Sequence, residues 1–206
     1  MTPEEFAELV RLGNEAPGLE FKPPAHRDDQ RIRAEVIRAA MALANRRDGG
    51  RIVIGVLEDQ RTKSLEPLGL TDEQVKSWNR DDLSSLLSRY ADPMVDFDQA
   101  TLETNSRTFL IITVHQFRST PVVCKQSLQL EGRTVLRAGG FYVRGRRKPE
   151  SVEVSSYEEL REVIDLAVEL GVERFSNLAR RAGMLGPVPV KEGAKENYDE
   201  ELEGLL

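Results

Sequence analysis

Acidic side chains and a lysine between residues 15 and 59 could together hold a divalent cation and a phosphate. Glu15, Glu20 and Lys22 come close together in the chain, and Glu58 and Asp59 follow a second apolar stretch. Carboxylate oxygens are the ligands that Mg²⁺ prefers, and a bound metal can activate water and stabilise charge on a phosphodiester. The lysine could neutralise that phosphate as a point charge.

A strand and a helix must position the first of these residues. Residues 18–22 alternate apolar and charged side chains, which is typical of a β-strand. Apolar residues then recur at helical spacing from 32 to 44, and Asp28 or Asp29 can cap this helix. The glycine pair 49–50 permits positive φ and is predicted to end it.

The next stretch, 51–57, is apolar after its first residue and predicts a strand buried on both faces. Gly55 within it indicates either a close approach of another backbone or a bulge. A strand–helix–strand unit of this length makes the two strands parallel, with a right-handed crossover. Because parallel strands end at one edge, we expect Lys22 and Glu58 there, with Glu20 about 7 Å back along its strand. The helix N-terminus, which favours anions, opens at the same edge.

Three sequence patterns together resemble the Schlafen AlbA_2 domain, once called divergent AAA-4. They are Glu15…Leu-Glu20-Phe-Lys, Ala-Leu-Ala-Asn45…Gly-Gly and Ile-Val-Ile-Gly55-Val. The stretch Phe-Tyr-Val-Arg144-Gly resembles the late Tyr-Ile-Arg-x-Gly strand of that family. The resemblance covers residues 1–168. It implies an α/β or α+β fold of mixed β-sheets with flanking helices, arranged as two small lobes in one domain.

The resemblance also implies a chemistry. In animal Schlafen proteins this domain is an endoribonuclease for tRNA and rRNA that uses two glutamates, an aspartate and a divalent metal. By this likeness Glu15 and Glu20 would hold Mg²⁺ or Mn²⁺, and Lys22 would neutralise the scissile phosphate. The third ligand is open between Glu58 and Asp59. Many prokaryotic members are known only as DNA-binding or regulatory proteins, so a non-catalytic DNA-binding module or a protein-interaction domain is the alternative.

The charge of the chain is unevenly distributed. The net charge of −6 argues against nucleic acid, but six acidic residues and two lysines in 191–206 account for −4 of it. Arginines concentrate at 27–51 and 137–148, and the local potential decides whether phosphate is attracted. We predict nucleic-acid contacts, with RNA favoured over DNA, from Arg27, Arg31, Arg46, Arg47, Arg51, Arg144, Arg146, Arg147 and Lys148.

The second half of the chain predicts short elements. A hairpin over 95–114 turns at 104–106, and the helical pattern before it is broken near Asn79. A further helix begins near Ser155 and is expected to end at Gly171. Short strands are predicted over 121–124, 133–137 and 140–144.

The predicted domain organisation is an AlbA_2-like domain over 1–170, a helical extension over 171–183 and an acidic, disordered tail over 184–206. Animal relatives pair two lobes around a groove, so we expect a homodimer of this single-copy chain. The phosphate-loop motif is absent, so no ATP is expected. Without a signal peptide or an apolar run of about 18 residues, we expect a cytoplasmic protein with no membrane partner. Cys124 is predicted to be a buried strand residue.

Overall fold

The computed structural model describes residues 1–13, 17–59, 61–62, 64–145 and 150–184. Glu15, Arg146, Arg147, Lys148 and the predicted tail beyond Met184 therefore lie outside the described residues. The chain divides into two units, Met1–Val168 and Glu169–Leu206. The strands given below all belong to the first unit.

The fold is α+β, with mixed sheets and flanking helices, as predicted. The helices are α1 (Pro3–Leu12), α2 (Gln30–Ala44), α3 (Asp72–Ser77), α4 (Arg80–Tyr90) and α5 (Tyr157–Arg181). The strands are β1 (Leu19–Lys22), β2 (Gly50–Ile54), β3 (Val56–Glu58), β4 (Leu65–Pro67), β5 (Ala91–Asp92), β6 (Phe97–Thr104), β7 (Arg107–Val114), β8 (Val123–Cys124), β9 (Leu128–Leu130), β10 (Arg133–Leu136), β11 (Tyr142–Arg144) and β12 (Ser151–Glu153).

The central sheet has four strands in the order β1-β2-β7-β6. β1 and β2 are parallel, with Lys22 opposite Ile54, and the other two pairings are antiparallel. The predicted parallel pair joined by a helix is therefore confirmed. Ile52, Val53 and Ile54 are fully buried, as expected for a strand covered on both faces.

Helix α2 connects the central sheet to the smaller sheets. Asp29 caps it, and its carboxylate accepts the backbone N–H groups of Arg31 and Ile32 at 3.0 Å. The helix contacts β1, β2 and β7 as well as β9, β10, β11 and β12. Because it packs against more than one sheet, 10 of its 15 residues are buried, which is more than a single apolar stripe would cover.

The predicted strand 51–57 is in fact two strands, because the chain turns at Gly55. This glycine has φ +118°, and its N–H donates to the carbonyl of Lys22 at 2.9 Å. Its carbonyl accepts from the N–H groups of Leu68 and Gly69, and an added Cβ would lie 2.9 Å from Cδ1 of Phe109. The close-approach interpretation of Gly55 is therefore confirmed. β3 leaves the central sheet and pairs with β4.

Most local signals in the second half are confirmed. β6 and β7 form the hairpin, with Asn105 and Ser106 at positive φ in its turn. Asn79 separates α3 from α4 and caps the latter. Helix α5, however, continues through Gly171 instead of ending there. A glycine costs a helix only about 1 kcal/mol relative to alanine, which the strong helix formers around it offset. Among the described helices, none combines the length and apolarity needed to cross a membrane.

Candidate nucleic-acid interface

Glu20 lies at the centre of a buried charge network. Its side chain is 8% exposed, and Oε1 accepts a hydrogen bond from Nζ of Lys22 at 2.6 Å. Oε2 accepts from Oγ of Ser151 at 3.2 Å and forms an ion pair with Arg144. Both carboxylate oxygens are therefore engaged, and the charge of Glu20 is balanced by two cations.

Arg144 joins β11 to the beginning of β1. Its side chain is 3% exposed, and it donates to the carbonyls of Pro17 at 3.1 Å and Leu19 at 2.9 Å and to Oγ of Ser151 at 3.1 Å. Arg144 also lines a groove with Arg46 and Arg47, so its predicted contact with nucleic acid stays a prediction. Its guanidinium is directed inward because a carboxylate, a hydroxyl and two backbone carbonyls satisfy it there.

The network continues outward from Glu20 to the protein surface. Nζ of Lys22 lies 3.3 Å from Oε2 of Glu35, and Oε1 of Glu35 accepts from Nε of Arg31 at 3.1 Å. The side chain of Lys22 is only 11% exposed, whereas that of Arg31 is 83% exposed. Basic and acidic groups thus alternate from the buried Arg144 to the surface, and Lys22 is held between two carboxylates.

The predicted third carboxylate lies in a different sheet. Glu58 ends β3 and pairs with Leu65. Asp59 is exposed, and its Oδ1 accepts the backbone N–H groups of Arg61 at 2.8 Å and Thr62 at 2.7 Å. These hydrogen bonds lower the pKa of Asp59, that to Thr62 most. Asp59 therefore holds the backbone of Arg61 and Thr62 after β3.

The described residues do not fit Mg²⁺ or Mn²⁺ as they stand. Within them, no group of three or more His, Cys, Asp or Glu side chains is placed to hold a metal ion. A cation at Glu20 would have to displace Lys22 or Arg144, whose charges already balance the carboxylate. Glu15, the other predicted ligand, lies outside the described residues.

The arginines predicted over 27–51 are divided between the two ends of α2. Arg27 pairs with Asp82 of α4 at 3.0 Å, and Arg31 lies in the first turn of the helix. Arg46, Arg47 and Arg51 follow its C-terminus. A helix of 15 residues is about 22 Å long, so these arginines form separate surfaces.

We call Arg46, Arg47 and Arg51 the basic end of α2. Nη1 of Arg46 donates to the carbonyls of Arg47 at 2.8 Å and Gly49 at 3.0 Å, a favourable position for a cation near a helix C-terminus. Arg46 and Arg47 line a groove of about 530 Å³ together with Gly145, which immediately precedes the basic run 146–148. Arg46 and Arg51 line a second groove of about 380 Å³.

An acidic wall faces part of this basic end. Glu159, Glu162 and Asp165 of α5 line the 530 Å³ groove along with Arg46 and Arg47. Carboxylates on the wall of a groove reduce the potential that a phosphate would meet there. This wall was not anticipated, because the helical pattern of α5 predicts which residues face inward but not which groove the polar ones reach.

Asn45 has a structural role that its place in the motif Ala-Leu-Ala-Asn45 did not indicate. It is buried, and its Nδ2 donates to the carbonyls of Val122 at 2.8 Å and Tyr142 at 3.0 Å. Its Oδ1 accepts the N–H of Val122 at 2.7 Å. The family motif Ala-Leu-Ala-Asn45 therefore attaches the end of α2 to β11 and to the chain before β8. An asparagine before a glycine pair signals a helix end, but these distant partners leave no local signal.

Cys124 is buried, and its Sγ donates to the carbonyl of Gln126 at 3.3 Å. Burial raises the pKa of this thiol, so less thiolate forms at neutral pH than in an exposed cysteine. Its placement agrees with the predicted role as a packed strand residue.

The chain thus has an α+β fold in which buried motifs join a parallel β-α-β unit to smaller sheets. A family model described as Schlafen, AlbA_2 matches residues 15–152. The chain therefore belongs to the Schlafen AlbA_2 family, as predicted from its motifs, and the family points to a nucleic-acid-related function.

Eight solved chains are similar to this protein. One is the solution NMR structure of the N-terminal domain of a protein from Nitrosomonas europaea related to the ATP-dependent DNA helicase RecG. It has 20% identity and a TM-score of 0.47, over 68% of this chain and 90% of that one. Another is the crystal structure of the DIP2311 protein from Corynebacterium diphtheriae, with 12% identity and a TM-score of 0.37, over 64% of this chain and 25% of that one. The comparison with curated proteins found no match.

Proposed function

We propose that this protein binds nucleic acid through phosphate contacts made by the basic end of α2. The observation that carries the proposal is the gathering of Arg46, Arg47 and Arg51 at one end of the helix, beside two grooves. The basic run 146–148 begins directly after Gly145, which lines the first of those grooves. Family membership supports the same function, and the animal members favour structured RNA, such as tRNA, over DNA.

The physical basis is the match between guanidinium groups and phosphate oxygens. Arginine donates two parallel hydrogen bonds to a phosphate and keeps its charge at any physiological pH. Each phosphate neutralised releases counterions, so the binding weakens steeply as salt rises. The net charge of −6 makes the local field of these arginines decisive, since the molecule as a whole repels a polyanion.

Removing the basic end should weaken binding. The double variant Arg47→Gln, Arg51→Gln is expected to reduce affinity for a tRNA stem-loop about tenfold or more. The slope of log K against log salt should become shallower by about 1 for each phosphate that the protein no longer neutralises. Fluorescence anisotropy over a series of salt concentrations measures both. The variant Arg61→Gln, Arg89→Gln is the matched control, because both residues lie outside the linings of the two grooves. Equal reductions in affinity in the two variants would show that only net charge matters.

Removing the acidic wall should have the opposite effect. The variant Glu162→Gln, Asp165→Asn is expected to strengthen binding several-fold at low salt, because two carboxylates no longer oppose the phosphate. The same anisotropy titration measures it. Glu66→Gln, Asp72→Asn removes the same charge from exposed positions that do not line the groove. An affinity that is unchanged by the first pair, or raised equally by both, would place the bound strand elsewhere.

The second candidate function is a Mg²⁺- or Mn²⁺-dependent endoribonuclease, which family membership supports although the described carboxylates do not fit a metal ion as they stand. For this function Glu20 would have to exchange a cationic side chain for the metal, with Glu15 and Glu58 or Asp59 as the other carboxylates. Incubating tRNA with the protein and Mn²⁺ or EDTA tests it on a gel. RNA that stays whole with every metal would leave binding as the function.

We also propose that the protein forms a homodimer. Ile164 and Val168 lie one helical turn apart on α5, and about half of each apolar side chain is exposed. Neighbouring exposed apolar side chains are typical of a surface that binds another protein. Light scattering during size-exclusion chromatography measures the mass, and a monomer at all concentrations would contradict the proposal.

A further inference from the structure

A separate groove lies between α2 and the β9–β10 hairpin. It has a volume of about 400 Å³, and Arg31, Arg38 and Arg133 line it. These arginines belong to the N-terminal and middle turns of α2 and to the hairpin, so the groove is distinct from the basic end of α2. Neither of the two grooves at that end shares a lining residue with it.

Arg38 is the unexplained group in this groove. Arg38 is partly buried. Its Nε is inaccessible to solvent and has no hydrogen-bond partner among the described residues. A buried donor without an acceptor is unfavourable, and nearly all such groups in folded proteins are paired with protein, water or an ion. Because Arg38 lines the groove, a ligand bound there would contact the outer part of its guanidinium and not the enclosed Nε.

The charges around the groove favour an anion. Glu35 also lines it, but its carboxylate is already engaged by Arg31 and Lys22. Glu131 also lines the groove, from an exposed position in the hairpin turn with φ +49°. Within the part of the chain that the structure describes, Arg38 and Arg133 form no ion pair. The groove thus presents Arg38 and Arg133, opposed by the one carboxylate of Glu131, and keeps a net positive charge for a ligand.

The size and the apolar lining indicate more than a simple anion. The volume of about 400 Å³ lies in the range of small-molecule sites, which are typically about 300–1,000 Å³. Ala34, Leu130 and Val135 give the groove an apolar part. We propose that it binds a nucleoside monophosphate, either free or at the end of a strand, with the phosphate at Arg38 and Arg133 and the base against Leu130 and Val135. This site does not depend on nucleic-acid binding by the basic end of α2.

The test is a titration of the full ¹⁵N-labelled chain with AMP, adenosine and inorganic phosphate, followed by NMR of the arginine Nε–H signals. AMP is expected to shift the Arg38 signal saturably, with adenosine and phosphate each binding at least about tenfold more weakly. Arg133→Gln should weaken AMP about tenfold or more, and Arg38→Gln should do the same, whereas Arg89→Gln should leave it unchanged. RNA oligonucleotides with and without a 5′-phosphate distinguish a strand end from a free nucleotide.

Several results would overturn the proposal. One is the absence of saturable binding of AMP up to about 10 mM in the wild-type chain. Others are adenosine or phosphate binding as tightly as AMP, or AMP affinity that is unchanged by Arg133→Gln. Since Arg133 is exposed on the hairpin, its replacement tests the site even where Arg38→Gln fails to fold. If the protein binds AMP but not a tRNA stem-loop, the result supports this site and contradicts the proposed function.

Discussion

Replacing Glu20 with alanine is expected to destabilise the fold by about 3–5 kcal/mol, the usual cost of breaking a buried ion pair. The change leaves the Arg144 guanidinium buried without its carboxylate and removes one of the two partners of Lys22. Equilibrium unfolding in urea measures the free energy. Glu131→Ala is the matched control, because Glu131 is an exposed glutamate in the turn between β9 and β10, and it should stay within about 0.5 kcal/mol of wild type.

A second variant shows how much of the lost stability comes from the unpaired charge of Arg144 and how much from the loss of the Glu20 side chain itself. Glu20→Leu combined with Arg144→Met should regain part of the stability, because it removes both desolvated charges at once but leaves the carbonyls of Pro17 and Leu19 without the Arg144 donors. A Glu20→Ala protein as stable as Glu131→Ala would contradict the buried network and would leave Glu20 available as a metal ligand. Any reduction of RNA cleavage in Glu20→Ala therefore has to be compared with the fraction of that variant which remains folded.

Replacing Asn45 with alanine is the second change with a large expected effect. It removes three hydrogen bonds and leaves the N–H and carbonyl of Val122 and the carbonyl of Tyr142 without that partner. Each unsatisfied buried group costs about 1–3 kcal/mol, so for three groups we expect a decrease in stability of about 3 kcal/mol or more. Urea unfolding again measures it. Asn177→Ala, at an outward position of α5, should change stability by less than about 0.5 kcal/mol.

An Asn45→Ala variant that is destabilised by less than about 1 kcal/mol would contradict this assignment. It would mean that water or a shifted backbone satisfies the groups of Val122 and Tyr142 in place of the Asn45 side chain. The presence of Asn45 in the family motif would then need another explanation. Retained stability together with abolished nucleic-acid binding would instead place Asn45 in the interface with the strand.

The elements that could be predicted from the sequence are those specified by neighbouring residues. The cap at Asp29, the parallel pair β1 and β2, and the turn at Asn105 and Ser106 follow from spacing and turn chemistry within a few positions. The break at Asn79 follows from the same kind of signal. Such features depend little on the rest of the chain, since local preference and tertiary contacts agree there.

The features that could not be predicted depend on distant partners. Arg144 contacts the carbonyl of Leu19 across a separation of 125 residues, so its burial leaves no local sign. The turn at Gly55 depends on Phe109 and on the backbone of Leu68 and Gly69. The strands β4, β5, β9 and β12 have two or three residues each, which is too short for an alternating pattern to be recognised.

Two motifs that carried the family resemblance meet in the folded protein. Glu20 and Lys22 of the first motif form one network with Arg144 of the late strand motif. The sequence predicted separate roles for them, as metal ligand, phosphate neutraliser and nucleic-acid contact. The geometry gives them a shared part in joining β1 to β11. In the function that we propose, nucleic acid is bound by arginines outside this network, at the basic end of α2.

The most direct test of the central claim is the binding of a tRNA stem-loop to the wild-type protein in EDTA, measured by anisotropy from about 50 to 200 mM salt. Binding should be measurable at the lowest salt and should fall linearly on a log–log plot. The slope should be shallower for Arg47→Gln, Arg51→Gln than for wild type. A wild-type protein that leaves the anisotropy unchanged at the lowest salt, or a slope that this variant does not alter, would contradict nucleic-acid binding by the basic end of α2.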